Sequence, residues 1–224
     1  MLSFIRTTVV TTIAALAVAA PALAAAPPPD VQHIRGVITA VSGDSLSVDT
    51  GSGTETIALP AATKYIGAVK GNLADIKDGT FIGSANVPGS GAARALEVVI
   101  FPASMKGTGE GNYAWDLPVK PGDPGGMKMS KMTNGTVQSG ANDMKMSKMA
   151  NGTVSKAAGH TYVVNYGSGT QTIAVPGNAP VVRFVPATHA NVVTGAHVFV
   201  VATKGGDAKA QAVIVGEQGT VPPM

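Results

Sequence analysis

Apolar and polar positions alternate in short runs along this chain, with glycine-rich turns between them. Ser45-Leu46-Ser47-Val48-Asp49 has the two-residue period of a half-buried strand, and Ile34–Val41 precedes it as another. Thr50-Gly51-Ser52-Gly53 predicts a hairpin turn, because glycine enters positive φ without steric cost, and Glu55–Leu59 returns as the next strand. Asn72-Leu73-Ala74-Asp75-Ile76-Lys77 predicts one helical turn, capped by Asn72 and closed at Asp78-Gly79. Phe81–Val87 and Arg94–Phe101 complete a set of five or six strands. No long stretch carries the 3.6-residue period of a helix.

The pattern occurs twice. Gly51-Ser52-Gly53-Thr54-Glu55-Thr56-Ile57-Ala58-Leu59-Pro60 reappears as Gly167-Ser168-Gly169-Thr170-Gln171-Thr172-Ile173-Ala174-Val175-Pro176, with eight of ten residues identical. The offset of 116 also aligns Gly36 with Gly152, Gly43 with Gly159, Val48 with Val164, Ala74 with Ala190 and Gly79 with Gly195. Two homologous domains are expected, over 31–104 and 150–220, with a tail at 221–224. The expected fold class is all-β: two small OB-like barrels of five to six strands, each with one short helix. Closure removes the unpaired edges of a small open sheet. Gly36 and Gly152, each inside a first strand, fit the sharp bend that a small barrel requires.

Between the copies the composition changes. Gly107, Gly109, Gly111, Pro118, Pro121, Gly122, Pro124, Gly125 and Gly126 predict a linker over 105–149. It holds the only tryptophan, Trp115, which is expected to pack back onto a domain. It also holds a second duplication, of period 17. Met127-Lys128-Met129-Ser130-Lys131-Met132-Thr133-Asn134-Gly135-Thr136-Val137 recurs as Met144-Lys145-Met146-Ser147-Lys148-Met149-Ala150-Asn151-Gly152-Thr153-Val154. The second unit runs into the first strand of the second domain; the first is a spare strand start.

The N-terminus has the three-part layout of a secretory signal peptide. A single charge at Arg6 precedes an apolar run to Ala20, and Ala22-Leu23-Ala24 predicts cleavage after Ala24. Residues 25–30 form an Ala/Pro-rich leader. The apolar run is shorter than the roughly 20 residues of a bilayer span. The expected location is the periplasm or the exterior. With zero cysteines, disulfides and thiolate chemistry are excluded. A net charge of +3 and 4% aromatic residues give neither the basic groove nor the stacking platforms that single-stranded nucleic acid requires.

Candidate chemistry is sparse. Met127, Met129, Met132, Met144, Met146 and Met149 are six of the nine methionines, and clustered thioethers suit Cu(I) or Ag(I). Four interleaved lysines oppose a cation there. Gly43-Asp44-Ser45-Leu46 spells a hydrolase signature, with Asp30-Val31-Gln32-His33 as its partner, but the order is reversed and the repeat replaces it with Gly159-His160-Thr161-Tyr162. A β-turn explains those four residues. His33, His160, His189 and His197 show no metal-ligand spacing.

The pattern G-x-I-x-x-V-x-G-x-x-L-x-V over Gly36–Val48, followed by Leu73-Ala74-Asp75-Ile76-Lys77-Asp78-Gly79, resembles a functionally uncharacterised family of small bacterial exported domains with an OB-like barrel. The whole-chain layout includes Gly109–Pro118, Met132–Val137 and the ending Val215–Met224. It resembles bacterial proteins often labelled "metal ABC transporter permease", although the several membrane spans of a permease are missing from this sequence. The resemblance implies fold and compartment, and no catalytic residue. The expected function is non-enzymatic binding or scaffolding in the cell envelope, toward an envelope protein or a small ligand and without a cofactor. The alternative is a Cu(I)/Ag(I)-binding protein using the methionine segments, and a hydrolase is the remote third.

Overall fold

The computed structural model describes residues 30–117, 130–140 and 159–223. The expected signal peptide and leader, apart from Asp30, lie outside the described residues. The described chain is all-β, as its alternating pattern predicts. No described helix is long and apolar enough to cross a membrane.

The first copy contributes β1 (Val31–Val41), β2 (Ser45–Asp49), β3 (Thr54–Ala58), β4 (Lys64–Lys70), β5 (Phe81–Val87) and β6 (Ala93–Ile100). Two strands follow in the expected linker, β7 (Gly111–Ala114) and β8 (Lys131–Gly140). The second copy contributes β9 (Gly159–Asn165), β10 (Thr170–Pro176), β11 (Val181–Pro186), β12 (His197–Thr203) and β13 (Ala210–Gly216). The expected helical turn is a 3₁₀ turn at Leu73–Asp75, repeated at His189–Asn191. The Asn72 side chain accepts from the Ala74 N–H at 2.9 Å, the predicted cap.

The barrels do not coincide with the copies. β1 pairs antiparallel with β12, not with β5 of its own copy, and β5 pairs with β8. One barrel is therefore β1–β2–β3 with β12 and β13, its ring completed where Ala58 bridges Lys209. The other is a closed ring of β8, β9 and β10 with β5 and β6, completed by the parallel β6–β10 pair. Each copy gives its first strands to one barrel and its last two to the other. The expected division into 31–104 and 150–220 is thus corrected to two strand-exchanged barrels.

The exchange is made at the seam. β4 and β11 pair antiparallel, and each continues parallel to a strand of the other copy, β4 beside β13 and β11 beside β6. All these strands belong to one continuous sheet.

The linker expectation over 105–149 is also corrected. Residues 111–114 and 131–140 are paired strands, and the spare strand start is the first strand of the second barrel. Lys131–Asn134 pairs with β5 on one side and β7 on the other. In the β1–β2 pair the register shifts between Ile38 and Ala40; in β8–β9 it shifts between Val137 and Ser139, the same point of the pattern. Gly135 of β8 thus does in the second barrel what Gly36 does in the first.

Three apolar clusters hold the molecule. Ile34, Ile38, Leu46, Val48, Val198 and Val200 fill the first barrel. Ile82, Val98, Val137, Val164, Ile173 and Val175 fill the second. Between the barrels lies an aromatic layer of Phe81, Phe101, Phe184 and Phe199 around the β4–β11 seam. Both faces of β5 are therefore covered, and all seven of its residues are buried.

Candidate functional site: a groove beside the barrel seam

A groove of about 1190 Å³ lies at the end of the β4–β11 seam. Four segments form it. The first is the end of β4 with the turn after it, Lys70 to Leu73. The pairing of Lys70 with Val182 fixes this wall, and the Gly71 N–H donates to the Val181 carbonyl at 2.8 Å. A Cβ on Gly71 would come within 3.1 Å of the Val182 backbone, a tight contact that glycine avoids as the turn approaches this strand.

The second segment is the β10–β11 turn, held by the Ala179 N–H donating to Pro176 O at 2.9 Å. Pro180 and Val181 of this turn add apolar wall. The third is His160 on β9, stacked on Tyr162 with centroids 6.0 Å apart. Tyr162 ties β9 to the first segment by donating to Leu73 O at 3.3 Å. Burial pushes the Tyr162 phenol above its ordinary pKa, which keeps it protonated as that donor. The fourth is Gln218–Val221 after β13, where Gln218 has φ of 53° and Gly219 of 75°. Val221 is 60% exposed there.

The walls are largely apolar, with a few polar groups at the margins. Among the described residues, Lys70 is the charged residue of the lining, and no carboxylate lies in it. Asn72 has its Oδ1 engaged by the cap, leaving its amide Nδ2 as a donor to offer. A concave apolar surface with a few convergent polar groups, sited where two barrels meet, has the general make-up of a small-molecule site. The groove equals or exceeds the usual volume of such sites, roughly 300–1000 Å³.

A second cavity, of about 270 Å³, opens at the end of the second barrel between Asn86, Lys131, Gln171 and the 88–93 hairpin. Behind it Ser84, Asn86 and Thr133 are buried in the barrel. Asn86 Nδ2 donates to Ser84 O at 2.9 Å and to Thr133 Oγ1 at 3.1 Å. Ser84 Oγ donates to Glu97 O at 3.1 Å. The polar groups are directed at each other.

The residues nominated from sequence fall elsewhere. Met132 is 1% exposed, in β8 between Ala85 and Tyr113, so its thioether is enclosed by protein. Met127, Met129, Met144, Met146 and Met149 lie outside the described residues. Among the described residues no His, Asp and Glu cluster could hold a metal ion. Gly43-Asp44 lies in the β1–β2 turn and Ser45-Leu46 opens β2, with Ser45 Oγ 2.6 Å from Ser42 Oγ and Leu46 in the core. Asp30 pairs with Lys204 at 3.6 Å and His33 with Asp116 at 3.0 Å, so the supposed hydrolase residues are not brought together.

Trp115 packs back onto the barrels, as expected. Its ring lies 4.5 Å from that of His33 and 6.4 Å from Phe199. Asp116 beside it takes Arg35 Nη2 at 2.7 Å and His33 Nδ1 at 3.0 Å. Burial pushes the Asp116 carboxyl up, but the Arg35 hydrogen bond and charge, with those of His33, outweigh it and hold the pKa below the ordinary range. The Arg35 guanidinium in turn sits 4.9 Å over the Phe199 ring. This cluster clamps the crossing segment onto the first barrel.

Compared with family models, with curated proteins and with solved structures, the chain matches none.

Proposed function

We propose that this protein is an exported, non-enzymatic binding protein. It holds a small amphipathic molecule, an apolar body with one acidic group, in the groove beside the barrel seam. One observation carries the reading. A groove of about 1190 Å³ with apolar walls has, among the described residues, Lys70 as its charged group and no carboxylate in its lining. That favours an anion over a cation at the rim and an apolar body along Val181, Val182 and Val221. Export is supported by the charged start, apolar run and Ala22-Leu23-Ala24 of the N-terminus.

The test uses 1-anilinonaphthalene-8-sulfonate, an apolar anion, titrated into the native protein by fluorescence. Saturable one-site binding is expected. Lys70→Glu should weaken it roughly fivefold, the size of one exposed charge contact. Lys64→Glu, at the opposite end of β4, should leave it unchanged. No saturable binding, or equal loss in both variants, would sink the groove as the site.

A further inference from the structure

Three residue pairs lead outward along the β5–β8 ladder of the second barrel: Ile82 with Gly135, Ser84 with Thr133, and Asn86 with Lys131. Residues two apart on a strand share a face, and Ile82 belongs to the core of this barrel. Ser84, Thr133, Asn86 and Lys131 therefore stand on its inner side. Gln171 and Ala93 do the same, each two residues before a core residue, Ile173 and Ala95. The cavity of about 270 Å³ that Asn86, Lys131, Gln171 and Ala93 line is thus the mouth of the barrel, bordered by the 88–93 hairpin.

Toward this mouth the inner face changes from apolar to polar to charged. The first barrel has Ile34 with Val200 and Gln32 with Ala202 at the same two steps, and Ile34, Val200 and Ala202 lie in its apolar core. Asn86 is 2% exposed, and its Nδ2 donates to Ser84 O and Thr133 Oγ1. A backbone carbonyl only accepts, so the bond to Ser84 O fixes the orientation of the amide and leaves Oδ1 without a described donor. Protein does not seal this oxygen off, so Oδ1 is the atom that Asn86 presents to the cavity.

The two groups at the mouth define complementary chemistry. Asn86 Oδ1 accepts, so the ligand must bring a donor. Lys131, its register neighbour, favours an anion, and among the described residues no carboxylate lines the cavity. A cationic donor such as an ammonium would be repelled by Lys131, whereas a hydroxyl would not. We infer that the mouth of the second barrel binds a small hydroxy acid, its carboxylate against Lys131 and a hydroxyl donating to Asn86 Oδ1. Barrel mouths are a common place for such sites, and this volume, just under the roughly 300–1000 Å³ of drug-sized pockets, suits a molecule the size of a single sugar acid. The site is separate from the groove at the seam and does not rest on it.

Glucuronate, glucose and cyclohexanecarboxylate share a six-membered ring and separate the two requirements. Each is titrated into the native ¹⁵N-labelled protein and followed by amide chemical shifts. Glucuronate should give saturable shifts at the Asn86 side-chain amide and the 89–93 backbone, and none at Gly71 or Gly219 of the groove. Glucose lacks the carboxylate and cyclohexanecarboxylate the hydroxyls, and each should bind the mouth about fivefold more weakly. Lys131→Gln, a change at an exposed residue, should weaken glucuronate about fivefold. The triple change Ser84→Val, Asn86→Ala, Thr133→Ile should abolish its binding in a protein that still folds. Absent glucuronate shifts, shifts outside the mouth, glucose binding as tightly as glucuronate, or an unaffected Lys131→Gln would each overturn the assignment.

Discussion

Ala68 and Phe184 face each other across the β4–β11 pair, and they are the same position of the repeated unit, 116 residues apart. Every other pair of the seam is symmetric about them: Ile66 with Pro186, and Lys70 with Val182. A local two-fold axis therefore passes through this pair. The axis explains the exchange, because each copy crosses the seam on β4 or β11 and finishes in the opposite barrel.

Such a molecule should unfold as one. Neither barrel is complete without strands of both copies, so separate melting is not available to them. Tryptophan fluorescence from Trp115 and far-ultraviolet circular dichroism should give coincident thermal transitions. Phe184 is 2% exposed and meets Phe101 edge-on at 5.3 Å. Phe184→Ala should cost about 3–5 kcal/mol and move both transitions together. Two separated transitions, or one that moves alone, would count against the shared seam.

The glycine at the centre of β1 gives a second prediction. A Cβ on Gly36 would lie 2.0 Å from the Asp49 carbonyl oxygen, with backbone rather than a movable side chain in the way. Gly36→Ala should cost at least about 2 kcal/mol, the middle of the range for an overfilled interior. Gly43, in the turn just after β1, has nothing within 4 Å of its Cβ position, so Gly43→Ala should be close to neutral. Urea midpoints of the two variants check the contrast.

These local features were legible because they depend on neighbours in sequence. The turn at Thr50–Gly53, the Asn72 cap and the return of Trp115 all follow from residue type and short-range pattern. The exchange was not legible, for a physical reason. Val198 and Val200 offer β1 the same apolar face as Ile82 would. Periodicity states which side chains point inward, but not which copy supplies the strand. The choice of Gly135 over Gly152 was hidden in the same way, since both units carry the pattern. The groove had no motif to find. Lys70, His160 and Val221 are far apart in the chain and line one groove only because β4 and β11 pair.

The Asp116 clamp makes stability depend on pH in the acid range. The folded pKa of Asp116 is lowered, so the clamp contributes above the ordinary aspartate pKa and is lost as pH falls through the lowered value. Between about pH 5 and pH 2 the urea midpoint should therefore drop, and Asp116→Asn should make that drop shallower. At 47% side-chain exposure the contribution is screened by solvent, and added salt should reduce it. A variant with the same acid limb as the parent would remove Asp116 from this role.

The duplication also offers an internal control for the polar interior of the second barrel. Ser84, Asn86 and Thr133 occupy the places held in the first barrel by Val200, Ala202 and Ile34. The first barrel is apolar there, so the fold does not demand polar groups at these positions. Asn86→Ala alone should cost about 1–3 kcal/mol, because it opens space and strips a partner from a buried hydroxyl. The triple change Ser84→Val, Asn86→Ala, Thr133→Ile removes the whole network and copies the first barrel. It should restore the parent's stability to within about 1 kcal/mol, since replacing both partners of a buried hydrogen bond by apolar groups of fitting shape is nearly neutral. Urea unfolding of the two variants separates network from packing. A triple variant weaker than Asn86→Ala would mean that the second barrel needs its polar interior for stability.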